Sequence, residues 1–128
     1  MKNKSNKKSI SPQSCKAKGR RLQTRVAQKL SKLLEVPFEK DGDIDVRLMG
    51  DSGSDVILRG AAKCFYFDGI ECKNQERLQI WQALEQASEY GKRPLLFFKR
   101  NRSKVYVVME EEDFYKLYAA AKDNIENV

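Results

Sequence analysis

Asp55, Glu71 and Lys73 are the residues of this 128-residue chain whose types and spacing suit chemistry together. Asp55 opens the short apolar run Val56-Ile57-Leu58. Sixteen residues after it, a second apolar stretch ends in Glu71-Cys72-Lys73. If both runs are adjacent strands, the two carboxylates converge at one end of a sheet. Converging carboxylates repel, and a bound Mg²⁺ ion, which takes oxygen ligands and keeps several waters, compensates them. Residues two apart on a strand share a face, so Glu71 and Lys73 point the same way and the Cys72 side chain points into the core. The Cys72 backbone carbonyl remains within reach of an ion held by Asp55 and Glu71. Lys73 is then placed to orient or deprotonate a water, or to steady charge growing on a phosphate. Ion, water and ammonium around one phosphorus suit phosphodiester hydrolysis. The alternative is an ordinary solvated strand decorated by a Glu/Lys pair.

Composition narrows the remaining chemistry. The chain has no histidine, which leaves no His-based acid–base catalysis or His-ligated metal, and its three cysteines lack metal-site spacing. An odd cysteine set, with no signal-peptide pattern and no long apolar run, points to a reducing cytoplasmic setting without membrane contact. The net charge of +7 is unevenly spread. Residues 1–34 carry eleven Lys/Arg and no acid; the remaining residues carry fourteen Lys/Arg against eighteen Asp/Glu. A basic end on an acidic body favours a polyanion such as DNA.

The elements that must position these residues are legible as periodicities. Residues 1–14, polar and broken by Pro12, read as a flexible basic arm, and residues 15–128 as one domain. From about Cys15 to Leu34, Leu22, Val26, Leu30 and Leu33 form an apolar helical stripe, with Arg21, Arg25, Lys29 and Lys32 opposite. Ile44, Val46 and Leu48 alternate with Asp43, Asp45 and Arg47 as a half-buried strand after an Asp41-Gly42 turn. Asp43 and Asp45 read as surface residues or as a further carboxylate supply. Phe65-Tyr66-Phe67 fits core, buried connection or dimer face.

Asn74 is a candidate cap for a helix with Glu76 in its first turn and Leu78, Trp81, Leu84 and Ala87 on its core face. Trp81 reads as core. Residues 94–108 form a hairpin whose tip carries Lys99, Arg100, Arg102 and Lys104, long cations able to grip phosphate. A last helix places Phe114, Leu117, Tyr118 and Ala121 on one stripe. The expected fold is α/β, a central mixed β-sheet flanked by helices.

These residues carry a resemblance. Asp55…Glu71-Cys72-Lys73 resembles the PD-(D/E)xK nuclease signature, with Ser54 in the place of its proline, and implies a restriction-endonuclease-like core. The wider chain is similar to the archaeal and phage Holliday-junction resolvase branch. Lys18-Gly19-Arg20-Arg21-Leu22-Gln23-Thr24-Arg25 resembles that branch's K-G-x-x-x-E-R helix, with Gln23 where relatives place a metal-positioning glutamate. The Gly50–Asp55 approach also resembles resolvases. Gln86-Ala87-Ser88-Glu89-Tyr90 resembles a Q-x-x-x-Y element whose glutamine faces the active site, with Gln82 as second choice.

The resemblance implies a Mg²⁺-dependent endodeoxyribonuclease, Mn²⁺ substituting, that leaves a 5′-phosphate and 3′-hydroxyl and needs no organic cofactor. Asp55 and Glu71, with the Cys72 carbonyl, are the expected ion ligands. Lys73 is expected to act on the water, with Gln23 and Gln86 in support. Lys18, Arg20, Arg21, Arg25, Lys99, Arg100 and Arg102 are expected to hold DNA. Paired cuts in a four-way junction imply a homodimer. A flap, mismatch or restriction-like nuclease would share these residues; a non-catalytic DNA-binding accessory protein would treat them as surface.

Overall fold

The computed structural model describes residues 11–48 and 50–127. Helix α1 runs Pro12–Leu34, capped by Ser11, whose hydroxyl accepts the Ser14 N–H at 3.1 Å. Pro12 therefore starts the helix instead of breaking an arm. Its fixed φ and missing N–H suit the first helical position. The helix begins three residues before the expected Cys15, and residues 1–10 of the expected arm lie outside the described residues.

The buried face of α1 comprises Leu22, Gln23, Val26, Ala27 and Leu30, and the stripe continues by steps of four to half-buried Leu34. Leu33, expected in the stripe, is 69% exposed. Steps of four carry the contact line past it. Glu35, in the left-handed conformation at φ 56°, ends the helix, and its N–H donates to the Ser31 carbonyl.

Strands β1 (Ile44–Val46) and β2 (Val56–Leu58) pair antiparallel. Leu48 does not continue β1. Its carbonyl accepts the Asp51 N–H at 3.1 Å, so it begins the following turn and its side chain lies exposed. A 3-10 turn, Gly60–Cys64, leads through Phe65–Asp68 into β3 (Gly69–Asn74). Asp43 and Asp45 brace turns: an Asp43 oxygen accepts the Ala61 N–H, and Asp45 accepts from Asp41 and Val46.

Strand β3 pairs parallel with β4 (Pro94–Lys99) across helix α2 (Ile80–Glu89), and β4 pairs antiparallel with β5 (Tyr106–Met109). Asp55 N–H donates to the Ile70 carbonyl at 2.8 Å, joining the β1–β2 pair to β3. The result is the expected mixed sheet packed against helices. The α1 face meets Ile44, Val56, Ile70 and Cys72 in the main core.

Helix α2 lies on the other side of β3, and its contact face differs from expectation. Ala83 and Ala87 are buried, whereas Trp81 is 78% exposed. A Cβ on Gly69 would collide with the Ala87 carbonyl, so helix and strand approach too closely for an indole between them. Asn74 does not cap α2; it ends β3, and Gln79 precedes the helix.

Helix α3 (Glu111–Ala121) also departs from its apolar pattern. Asp113 is its buried residue and accepts a hydrogen bond from the Tyr66 hydroxyl at 2.9 Å. Phe114 and Tyr118 are about half exposed, with Leu117 partly covered. The polar anchor fixes the helix's rotation and leaves its aromatic stripe outward.

Candidate active site

The site is built where β2 meets the edge of β3. Ile70 turns both backbone groups toward that edge: its N–H reaches Ser54 Oγ and its carbonyl accepts from Asp55. Two residues on, the Cys72 N–H donates to Asp55 Oδ2 at 2.8 Å. The N–H and C=O of one strand residue share an edge, so the Cys72 carbonyl faces the Asp55 side while its thiol packs in the core. Glu71 and Lys73 alternate to the α2 side, and Lys73 Nζ stands 3.8 Å from Glu71 Oε2. Gln23 reaches Asp55 from the buried face of α1.

The electrostatics mark an unbalanced acid pair. Burial, together with the neighbouring Asp55 charge, pushes Glu71 up to about 8, and Lys73 offsets only part of this. Asp55 is also raised by burial, against the Cys72 N–H, Lys73, Glu71 and Gln23, which favour its charged form. The Cys72 thiol is held well above its ordinary range by burial and by both acids, so it is a packing group and no nucleophile. Without a cation, burial and the nearness of the other acid disfavour ionising both carboxylates together.

Among the described residues, no group of three His, Cys, Asp or Glu side chains is arranged to hold an ion. The available donor set is instead two carboxylates, the Cys72 carbonyl and the Gln23 amide. These are all-oxygen donors of limited charge, and burial disfavours both carboxylates as anions unless a cation joins them. That chemistry fits Mg²⁺, which binds through one or two carboxylates plus water and phosphate.

Asp55, Gln23 and Lys73 line a cleft of about 510 Å³ that is closed by the start of α1 and the β4–β5 tip. There Lys18 Nζ donates to Asn101 Oδ1 at 2.6 Å. Of the expected DNA contacts, Lys18 lies at this cleft, while Arg20, Arg21 and Arg25 line a shallow groove on the outer face of α1. Lys99 and Arg100 line a third groove beside Gln75 and Tyr106. Arg102 stands exposed at the tip with φ 63°. The basic residues thus form separate patches around the cleft.

Two amides acquire significance. The Oε1 of Gln86, on the sheet side of α2, is buried without a partner, whereas Gln82 is exposed. Asn74, read from sequence as a helix cap, lines the cleft with a buried, unpartnered Oδ1. Its position three residues after Glu71, at the end of the same strand, was the available sequence signal.

The family model described as "Phage putative PDDEXK endonuclease" matches residues 14–128. The chain belongs to this endonuclease family. The match runs from the first turn of α1 through α3 and spans Asp55, Glu71 and Lys73. Family membership implies hydrolysis of DNA phosphodiester bonds. No curated protein and no solved structure matches the chain. No helix of the described residues is long and apolar enough to cross a membrane.

Proposed function

We propose that this endonuclease cuts branched DNA, a four-way junction above all, at a Mg²⁺ centre held by Asp55, Glu71 and the Cys72 carbonyl. The observation that carries the reading is half-buried Asp55 beside buried Glu71, with the Lys73 ammonium 3.8 Å from Glu71. A bound Mg²⁺ would supply Lewis-acid neutralisation of charge on the scissile phosphate, and Mn²⁺ would substitute. Gln23 orients Asp55 from α1, and the Cys72 N–H fixes the rotamer of the same carboxylate. Lys73 positions the attacking water and donates to the phosphate oxygen that gains charge. Water adds to phosphorus, the bond to the 3′-oxygen breaks, and that oxygen leaves protonated. The products carry a 5′-phosphate and a 3′-hydroxyl. Gln86, with its free carbonyl under α2, supports the Glu71 side.

Lys18 at the cleft and Arg20, Arg21 and Arg25 along α1 follow the backbone on one side, with Lys99, Arg100 and Arg102 on the other. Two matched cuts require two sites, hence a C2 homodimer. The edge strand β5 and the outward Phe114, Tyr115 and Tyr118 of α3 are the backbone and aromatic surface on which such a dimer would form. The free thiols Cys15, Cys64 and Cys72 accord with a reducing cytoplasm.

The test compares a four-way junction, a flap, a mismatched duplex and a linear duplex with Mg²⁺ side by side. Preferential paired incision of the junction supports the reading. Preference for the flap or mismatch would assign a repair-type nuclease. Equal or sequence-dependent cutting of linear duplex would assign a restriction-like one. Binding without cutting would leave an accessory protein.

A further inference from the structure

A second cleft, also about 510 Å³, opens beside the catalytic strand pair and is left unused by the hydrolysis just described. Such a volume falls within the range of ligand sites. Its cations are Arg47, Lys63 and Arg93, and none forms an ion pair among the described residues. Asp68, the acid in its wall, already accepts the Arg93 N–H at 2.8 Å. The aromatic lining is Phe65, Tyr66, Phe67 and Tyr90, the last 41% exposed.

The cations are held in place. Arg47 Nε donates to the Ser54 carbonyl at 3.0 Å, and its guanidinium lies where a Cβ on Gly53 would stand. Gly53, at φ 129°, thus keeps the guanidinium against the backbone. Arg93 stacks on Tyr66 at 4.5 Å from the ring centroid and donates to the Tyr66 carbonyl. Each arginine retains donors for a further acceptor.

The cleft is tied to the catalytic acid by one peptide. Ser54 lines this cleft, and Asp55 lines the catalytic one. The Ser54 hydroxyl donates to the Asp68 carbonyl and accepts from Ile70 N–H, each at 3.3 Å. The nucleotide next to one held across Asp55 and Glu71 is therefore the part of a DNA substrate nearest to this cleft. Aromatic rings interleaved with unpaired cations match a nucleotide: base on the rings, phosphate on the cations. A base within a duplex is already stacked and cannot enter.

We infer that this cleft binds an unpaired nucleotide of the DNA substrate next to the scissile phosphate, its base stacking on Tyr90 and its phosphate meeting Arg47 and Arg93. Substrate choice then depends on a nucleotide able to leave the stack beside the cut, which a flap offers directly and a four-way junction offers when pairs at its centre open. The inference rests on the nuclease reading for its polarity, and binding tests it separately from cutting.

Full-length protein is titrated without divalent ions against a DNA fork whose first unpaired base is 2-aminopurine, and against the matching blunt duplex. Tyr90→Ala is expected to weaken fork binding about tenfold, to leave duplex binding within about twofold, and to abolish the stacking quench of 2-aminopurine. Tyr90→Phe, which keeps the ring, is expected to restore both affinity and quench. Equal weakening on fork and duplex, or no weakening on either, overturns the inference, as does failure of Tyr90→Phe to restore what alanine loses. Cutting of the same fork by wild-type protein with Mg²⁺ is read independently: its absence counts against the nuclease reading, while the fork–duplex contrast alone decides the cleft.

Discussion

The Cys72 N–H donates to Asp55 Oδ2 across 2.8 Å, tying the acid just before β2 to the residue between Glu71 and Lys73. The bond makes the site a property of two strands instead of three side chains. It fixes one carboxylate beside a second that is buried and disfavoured as an anion. The folded chain therefore stores an electrostatic conflict that a cation resolves.

That conflict should be visible in the pH dependence of metal-free stability. Glu71 has an ordinary value of 4.5 and is raised to about 8 in the fold. The folded state binds the proton more tightly, so this contribution is full below about 4.5 and is lost as pH rises through about 8. Urea unfolding in chelator at pH 6 and 9 should show wild type losing at least about 1 kcal/mol more than Glu71→Gln. Parallel pH profiles for the two proteins would contradict the assignment.

Metal affinity should run the opposite way. Binding needs Glu71 as the anion, so Mg²⁺ or Mn²⁺ affinity should climb by up to about tenfold per pH unit until Glu71 is ionised, then level off. Calorimetric titration across pH 6 to 9 in buffers of different ionisation enthalpy would register the released proton. Glu71→Gln should flatten the profile.

Gln23→Glu should restore charge where the chain has a neutral amide beside Asp55. Divalent affinity is expected to rise about tenfold, while the metal-free protein becomes less stable at neutral pH through added repulsion. Melting with and without Mg²⁺ separates the two effects. Stabilisation without metal would contradict the placement of Gln23 against Asp55.

Gly69→Ala should disturb the site without touching its chemistry. A Cβ there meets the Ala87 backbone, which cannot yield as a flexible side chain would. The cost is expected to be about 1–3 kcal/mol. Thermal unfolding measures it, and a neutral substitution would show that α2 can move away from β3.

The sequence made the strand-borne chemistry readable because it obeys a period of two: Glu71 and Lys73 share a face and Cys72 turns inward. The first helix was readable in the same way through Leu22, Val26 and Leu30. What periodicity could not supply was the distance between elements. Trp81 and Ala83 both fit a helical stripe, and only the close approach of Gly69 to Ala87 decides that the alanine is inside. Phe114 was misplaced because one hydrogen bond, Tyr66 to Asp113, sets the rotation of α3 against its apolar pattern. Gln23 stood out by resemblance alone; its burial against Asp55 is a tertiary fact. The cleft between Arg47 and Arg93 joins residues far apart in the chain, and no local pattern announces it.

The most direct test of the central claim is Mg²⁺-dependent cleavage of junction DNA by wild type, Glu71→Gln and Lys73→Ala, with DNA affinity measured on the same preparations. Each variant is expected to cut on the order of 10³-fold more slowly while binding the junction within a few-fold of wild type. Undiminished cutting by both variants would contradict the account.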